Sequence, residues 1–433
     1  MALQIGLILL CIFVVLLILG VPIAISLAIP TIVTMAIIYP FDVTFFTGAQ
    51  SIFTNISSFT LLAIPFFVLS GVMMTYGGIS ERLVNFAKLL IGRMPGALAH
   101  TNVVANMLFG SISGSAVASA ASIGGVMKPL QDKESYDPKF SSAVNIASAP
   151  VGLLIPPSNT LILYSLVSGG TSISALFIAG YIPGIIWGLG IILIAYIISK
   201  KKNYPVSEKI KFREGLRTVL EAIPPLSLIV IVVGGIIFGI FTPTEGAAVA
   251  VLCSFILMLF YKTLSFKLMP KILIETANTT GIIMFLIGAS SMIIHIFTVA
   301  GIPSAITDSI LNITDNKYLI LLMILLILLF VGTFMDIAPA VLVFTPIFLP
   351  IAQSLGMDVV QFGIVITFAM CMGGITPPVG NILFVGSAVS KINIENLIKP
   401  LLPFYGVTIL VLILITFIPQ LSLILPKLLE LIQ

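Results

Sequence analysis

Charged side chains are scarce in this chain: only 8% of its 433 residues are Asp, Glu, Lys or Arg, while 59% are hydrophobic. So little charge cannot cover a soluble fold of this size, and so much apolar surface exceeds what one soluble core buries. The chain reads as an integral membrane protein. Cysteine is nearly absent. Cys11, Cys253 and Cys371 lie in separate apolar segments, without metal-ligand or redox spacing, and read as packing residues. A phosphate-cradling GxxxxGK[ST], a zinc-binding HExxH, a cysteine cluster and a nucleophile elbow are all missing, which excludes ATP hydrolysis by this chain. The small net charge of +4 calls for no nucleic-acid partner.

Long uncharged apolar runs are abundant instead. Those at 5–20, 176–199, 226–241, 247–261 and 401–418 approach the roughly 20 residues that cross a hydrocarbon core. The opening "MALQ" has no basic residue and no small-residue cleavage site follows, so the first run is expected to be a retained spanning helix. The most basic stretch, 199–217, marks a cytosolic loop. With an outside N-terminus and five crossings in each half, the cytosolic face receives 18 of the 20 Lys and Arg residues, Lys317 and Lys427 excepted. The C-terminal 421–433 fits either a spanning or an interfacial segment.

The chain also resembles itself. Gly110 and Gly332, Asn159 and Asn381, and Ser165 and Ser387 are each 222 apart; Pro22 and Pro243, and the two Pro-Pro pairs, are 221 apart. An odd number of crossings per copy makes such copies inverted repeats, which place a binding site near the midplane and permit alternating access. The expected architecture is therefore all-α and polytopic. It comprises a first repeat at 1–203, a basic linker at 204–217 and a second repeat at 218–433.

Two anomalies recur in each half. "IPPSN" (155–159) and "TPPVGN" (376–381) interrupt apolar helices, and an interruption survives in a membrane only if buried in protein or facing a wet cavity. Proline frees a carbonyl about one turn earlier, a hard-oxygen ligand for a small alkali cation; a packing kink is the alternative. Broken helices are expected at about 139–168 and 360–390. "GSISGSAVASAAS" (110–122) is too small and polar for a lipid-facing helix, and both its ends fall to the cytosol. It reads as a re-entrant hairpin over about 100–130 with Ser111, Ser113, Gly114 and Ser115 at its tip, or as a small-xxx-small packing face through Gly110 and Gly114. The matching hairpin, about 318–352, carries Asp336 inside the apolar stretch "LLFVGTFMDIAPAVLVFTPIFLP". A carboxylate there is a cation or proton site, or a cap on the helix that follows.

His295 reads as a packing residue rather than a proton relay, His100 as an interfacial group, and Trp187 as a packing or interface anchor. Segments 80–93 and 304–316 have helical periodicity with polar faces and read as interfacial helices.

Together these motifs resemble the large membrane subunit of the tripartite ATP-independent periplasmic (TRAP) transporters. The resemblance is carried by "GVPIAI" (20–25), "FGSISGSAVASAASIGG" (109–125), "IPPSNTLILY" (155–164), "GIFTPTEGAAVAV" (239–251), "GTFMDIAPAVLVFTPIFLP" (332–350) and "GGITPPVGNILFV" (373–385), in order along the chain. It implies an elevator-type secondary transporter with scaffold and transport domains, in the bacterial inner membrane with a periplasmic N-terminus. The implied partners are a small membrane (Q) subunit and a periplasmic binding protein that delivers an organic acid, such as a C4-dicarboxylate or a sialic acid. Uptake would be driven by two or more sodium ions.

Carried over by residue, one sodium site would use Ser111, Ser113 and Ser115 with the break from Pro156 to Asn159. The other would use Thr333, Asp336 and Ala338 with Thr376, Pro377, Gly380 and Asn381. Substrate is expected against Ser113, Gly114, Ser115, Ser158, Asn159, Asp336 and Asn381. Many members carry an acidic residue where this chain has Ser119. No Lys or Arg stands at either tip, so an anion would be held by helix N-termini, hydroxyls and bound cations. Two other readings compete: a stand-alone ion-coupled carrier without a binding protein, and a membrane enzyme using Asp336, whose nearest histidine in sequence is His295, 41 residues away.

Overall fold

Backbone groups in hydrocarbon must pair within their own segment, and this chain does so with helices. The structure, a computed structural model, describes residues 2–206, 212–302, 305 and 316–432. Among them there is no strand, only an isolated bridge between Pro95 and Val206.

Helices α1 (Ala2–Ile18), α2 (Ile23–Ile38), α3 (Phe41–Ile56), α4 (Ala63–Tyr76) and α5 (Ile79–Ile91) open the chain. Prolines 22 and 40 start α2 and α3, where a missing N–H costs nothing. Then come α6 (Ala97–Ser113), α7 (Ala116–Lys133), α8 (Pro138–Ser148, prolonged by a 3₁₀ turn to Leu153), α9 (Asn159–Val167) and α10 (Ile173–Lys201). The second half contains α11 (Phe212–Ile237), α12 (Pro243–Phe260), α13 (Met269–Ala300), α14 (Lys317–Gly332) and α15 (Ile337–Ser354). It ends with α16 (Val359–Gly373), α17 (Asn381–Ser390), α18 (Ile394–Phe417) and α19 (Gln420–Leu428). Among the described residues, seven helices are long and apolar enough to cross a membrane.

Both ends of the α6–α7 pair return to one place. The Gly96 N–H donates to Pro205 O (3.2 Å), the Asp137 N–H donates to the Tyr204 hydroxyl (3.0 Å), and Tyr136 stacks on Tyr204 at 4.3 Å. The α14–α15 pair behaves alike at the far end of α18. Tyr318 lies 5.6 Å from Phe417, and Gln361, just beyond α15, donates to Ile415 O and Thr416 O. Each pair is a helical hairpin. Their second arms cross over between the halves, α7 packing on α17 and α15 on α9.

The centre belongs to the interrupted helices. Phe140–Ser148 of α8 and Val360–Gly373 of α16 are buried at every residue, so the freed backbone groups of the first break lie away from lipid. At mid-length α10 and α18 meet through Trp187, whose Nε1 donates to the Thr408 hydroxyl at 3.0 Å and whose ring lies 4.2 Å from Phe368. Trp187 is thus a core residue.

Several expectations change. His100 is wholly buried rather than interfacial, because it sits one turn into α6 with its Nε2 3.0 Å from Pro95 O and its ring near Tyr196. Cys11 is exposed on α1, while Cys371 is buried and Cys253 half-buried. Helix α11 begins at Phe212, inside the expected linker. The nine residues of α19 reach only about 14 Å at 1.5 Å per residue, too short to span. The expected interfacial helix at 80–93 is α5, with Ile79, Leu83, Val84 and Ala87 inward; its counterpart at 304–316 falls outside the described residues apart from 305 and 316.

Candidate functional site

The tip of the first hairpin forms because Gly114 takes a left-handed conformation (φ +61°), which ends α6 and reverses the chain in two residues. Ser115 then caps α7, its Oγ accepting from the Ala118 N–H at 3.2 Å. Ser113 Oγ lies 3.4 Å from Ser115 N, and Ser111 donates to Leu108 O within its own helix. The tip touches two elements. A Cβ on Gly114 would stand 2.7 Å from Asn159 Nδ2, and one on Gly71 of α4 would stand 2.6 Å from Ser113 O. Ser158 caps α9 through the Leu161 N–H (3.4 Å), and Pro156, Pro157 and Ser158 are buried. The break from Pro156 to Asn159 and the tip Ser111–Ser115 are therefore brought together, with the N-terminal ends of α7 and α9 converging on them.

In the second half, the Gly380 N–H donates to Thr333 O at 2.9 Å, joining the second tip to the start of α17. Gly380 is left-handed (φ +59°), and a Cβ there would lie 2.9 Å from Thr376 O and 3.1 Å from Gly374 O. Carbonyl oxygens of Thr333, Gly374 and Thr376 thus gather around one glycine. The Thr333 and Thr376 hydroxyls donate instead to Phe330 O and Met372 O of their own helices, so these residues offer main-chain oxygen. The Pro156–Pro157 and Pro377–Pro378 peptides are both cis.

Asp336 occupies the N-cap position of α15, yet its side chain caps no N–H and is exposed. The capping role expected as one option is not seen, and the carboxylate stands free to meet a cation. The second break also departs from expectation. Thr376, Pro377 and Val379 are half-buried and Pro378 is exposed, while Gly380, at the start of α17, is buried. Ala338, the second residue of α15, is half-buried, and Asn381 opens α17.

The small-xxx-small reading also holds at Gly110. A Cβ on Gly152 would lie 2.5 Å from Gly110 Cα, and one on Gly373 would lie 2.4 Å from Gly332 Cα. Each hairpin crosses its own broken helix backbone to backbone at a glycine pair.

Sequence reading missed a polar cluster beneath the first tip. Asn106 Nδ2 donates to Asn102 Oδ1 (2.9 Å), Asn145 Oδ1 (3.1 Å) and Ser148 Oγ (2.8 Å); Ser119 donates to Asn106 Oδ1 (2.8 Å). The signal available was Asn at i and i+4 inside an apolar run. Where an acidic residue is common in the resembled family, Ser119 here is a wholly buried donor.

Residues 10–421 match the family model described as the tripartite ATP-independent periplasmic transporter, DctM component. The chain is 39% identical over 383 residues to the sialic acid TRAP transporter large permease protein SiaM of Vibrio cholerae, covering 88% of this chain and 89% of that one. It is 37% identical over 380 residues to the C4-dicarboxylate TRAP transporter large permease protein DctM of Pseudomonas aeruginosa, with the same coverage. Its fold is similar to that of the Alcanivorax borkumensis YdaH transporter, with a TM-score of 0.57 at 14% identity over 88% of this chain and 90% of that one. The chain belongs to the large permease subunits of the TRAP transporters, the DctM component family.

Proposed function

We propose that this permease imports an organic acid by alternating access, coupled to sodium, with the two tips and breaks as the cation and substrate sites. The observation that carries this reading is the gathering of main-chain oxygens around Gly380, one of them from Thr333, three residues before the unpaired Asp336 carboxylate. Main-chain oxygens at a helix break, with one carboxylate, match the hard-ligand chemistry of an alkali cation. The helix N-terminal ends at Ser115 and Asn159 offer partial positive charge to an anion, in a site lacking Lys and Arg. Sialic acid and C4-dicarboxylates, named for the relatives, both carry the carboxylate such ends would hold.

The two halves are read as inverted repeats, 1–203 and 218–433, moving as an elevator. The recurrence of hairpin, broken helix and long helix in the same order supports this. The basic face is cytosolic and the N-terminus periplasmic in the bacterial inner membrane. A small membrane subunit completes the scaffold, and a periplasmic binding protein delivers the solute.

Proteoliposomes containing the chain, the small subunit and a cognate binding protein test the reading. Uptake of labelled solute should rise at least about tenfold with an inward sodium gradient. Uptake indifferent to sodium would refute the coupling. Transport of free solute by the chain alone would replace this reading with the stand-alone carrier.

A further inference from the structure

The polar cluster under the first hairpin has an internal control. The glycine crossings fix how the halves correspond: Gly110 matches Gly332, 222 apart, and Gly152 matches Gly373, 221 apart. The N-cap positions, Ser115 of α7 and Asp336 of α15, match these helices at a spacing of 221. On this register, Asn102 and Asn106 correspond to Ile324 and Leu328. Ser119 corresponds to Ala340, and Asn145 and Ser148 to Ile366 and Ala369. All ten are buried. The same helix packing is therefore filled with apolar side chains in one half and with amides and hydroxyls in the other. The fold does not require the polar set.

The polar set also leads to a cavity. A space of about 20 Å³, larger than the ~10–15 Å³ one water needs, is lined by Asn102, Gln131, Asp132, Ser141, Asn145 and Ser390. Asn102 is wholly buried, and its Nδ2 has no partner among the described residues; the Ser141 hydroxyl likewise has none. The Lys128–Asp132 ion pair (2.6 Å), partly exposed, stands at the mouth. The donors and acceptors on its wall suit water.

We propose that this cavity is a hydration site from which the first hairpin separates from its broken helix, opening toward the basic face, while the second hairpin stays sealed. Parting an apolar interface exposes surface that water disfavours. Parting an amide and hydroxyl interface exchanges its hydrogen bonds for bonds to water at small net change. A water held in this cavity, between the unpartnered Asn102 amide and Ser141 hydroxyl, would give that exchange a starting point. The site at the first tip and the Pro156–Asn159 break then empties through the first hairpin. This inference rests on the carrier reading, but its test does not use transport.

Hydrogen–deuterium exchange of the full-length chain in lipid nanodiscs decides it. Backbone amides of 98–112 should exchange at least about tenfold faster than those of 320–331. Equal rates, or the reverse order, overturn the proposal whether or not sodium drives uptake. Replacing the polar set by its apolar counterparts (N102I, N106L, S119A, N145I, S148A) should slow exchange in 98–112 to the level of 320–331. Unchanged exchange in that folded variant would also overturn it; where the variant does not fold, the wild-type order alone decides.

Discussion

Single residues carry the sharpest expectations. Asp336 is a free carboxylate at a helix start, three residues after the Thr333 whose carbonyl meets Gly380, so on the proposed coupling Asp336→Asn should raise the sodium concentration for half-maximal uptake about tenfold, some 1.4 kcal/mol of cation affinity. A sodium titration of uptake reads this directly. Gly114→Ala combines a left-handed backbone, costing about 1–2 kcal/mol for a residue with a Cβ, with a clash against Asn159. Uptake should fall at least about tenfold while expression persists.

Asp137 offers a pH signature away from the membrane core. Burial raises its carboxyl pKa, but the Lys202 ammonium at 2.5 Å and the Lys139 N–H outweigh burial and hold it below the usual range. Its contribution is present above the unfolded carboxylate pKa of about 3.9 and is lost as pH falls through the lower folded value. Lys202 is shifted upward by the same hydrogen bond, so its share is lost only at strongly alkaline pH. Both side chains are more than a third exposed, which limits the pair to about 1 kcal/mol or less. Thermal unfolding of Asp137→Asn should show a small deficit at pH 7 that vanishes in strong acid.

At the scale of elements, the crossing of each hairpin over its broken helix is the joint that sets site geometry. Gly152→Ala or Gly373→Ala places a methyl within 2.5 Å of facing backbone, which cannot move aside as a side chain would. Each should destabilise by about 1–3 kcal/mol, seen as a lower melting temperature in detergent. These joints were half legible beforehand. Gly110 and Gly332 stood out by their spacing, but Gly152 and Gly373 did not, because a glycine's partner across space leaves no local mark. The breaks were legible because Pro-Pro within an apolar run has few explanations. Burial was not: the same motif is enclosed at Pro156–Pro157 and open at Pro378, a difference set by neighbouring helices. His100 was misjudged for the same reason, since a polar residue at an expected membrane boundary can fold back onto a carbonyl just ahead of its helix, here Pro95 O.

Across the whole molecule, hydropathy and the repeat spacing foretold an all-helical membrane fold with hairpins and broken helices in each half. What escaped was the chemistry by which the halves differ, because the Asn and Ser cluster becomes visible only when matched positions are laid side by side in space. The long helices α10 and α18 hold those halves together through Trp187 and Thr408, which stand 221 positions apart, the spacing of the Pro-Pro pairs. Trp187→Phe removes a buried donor and should cost about 1–3 kcal/mol, with Thr408→Val partly compensating in a double-mutant cycle of melting temperatures.

That bond also says something about symmetry. Two identical halves facing each other would set tryptophan against tryptophan, two donors and no acceptor, or threonine against threonine, leaving a void where an indole now fits. A matched donor and acceptor requires the two facing positions to differ, as Trp187 and Thr408 do. The contact therefore makes the two long helices non-interchangeable at the point where they meet.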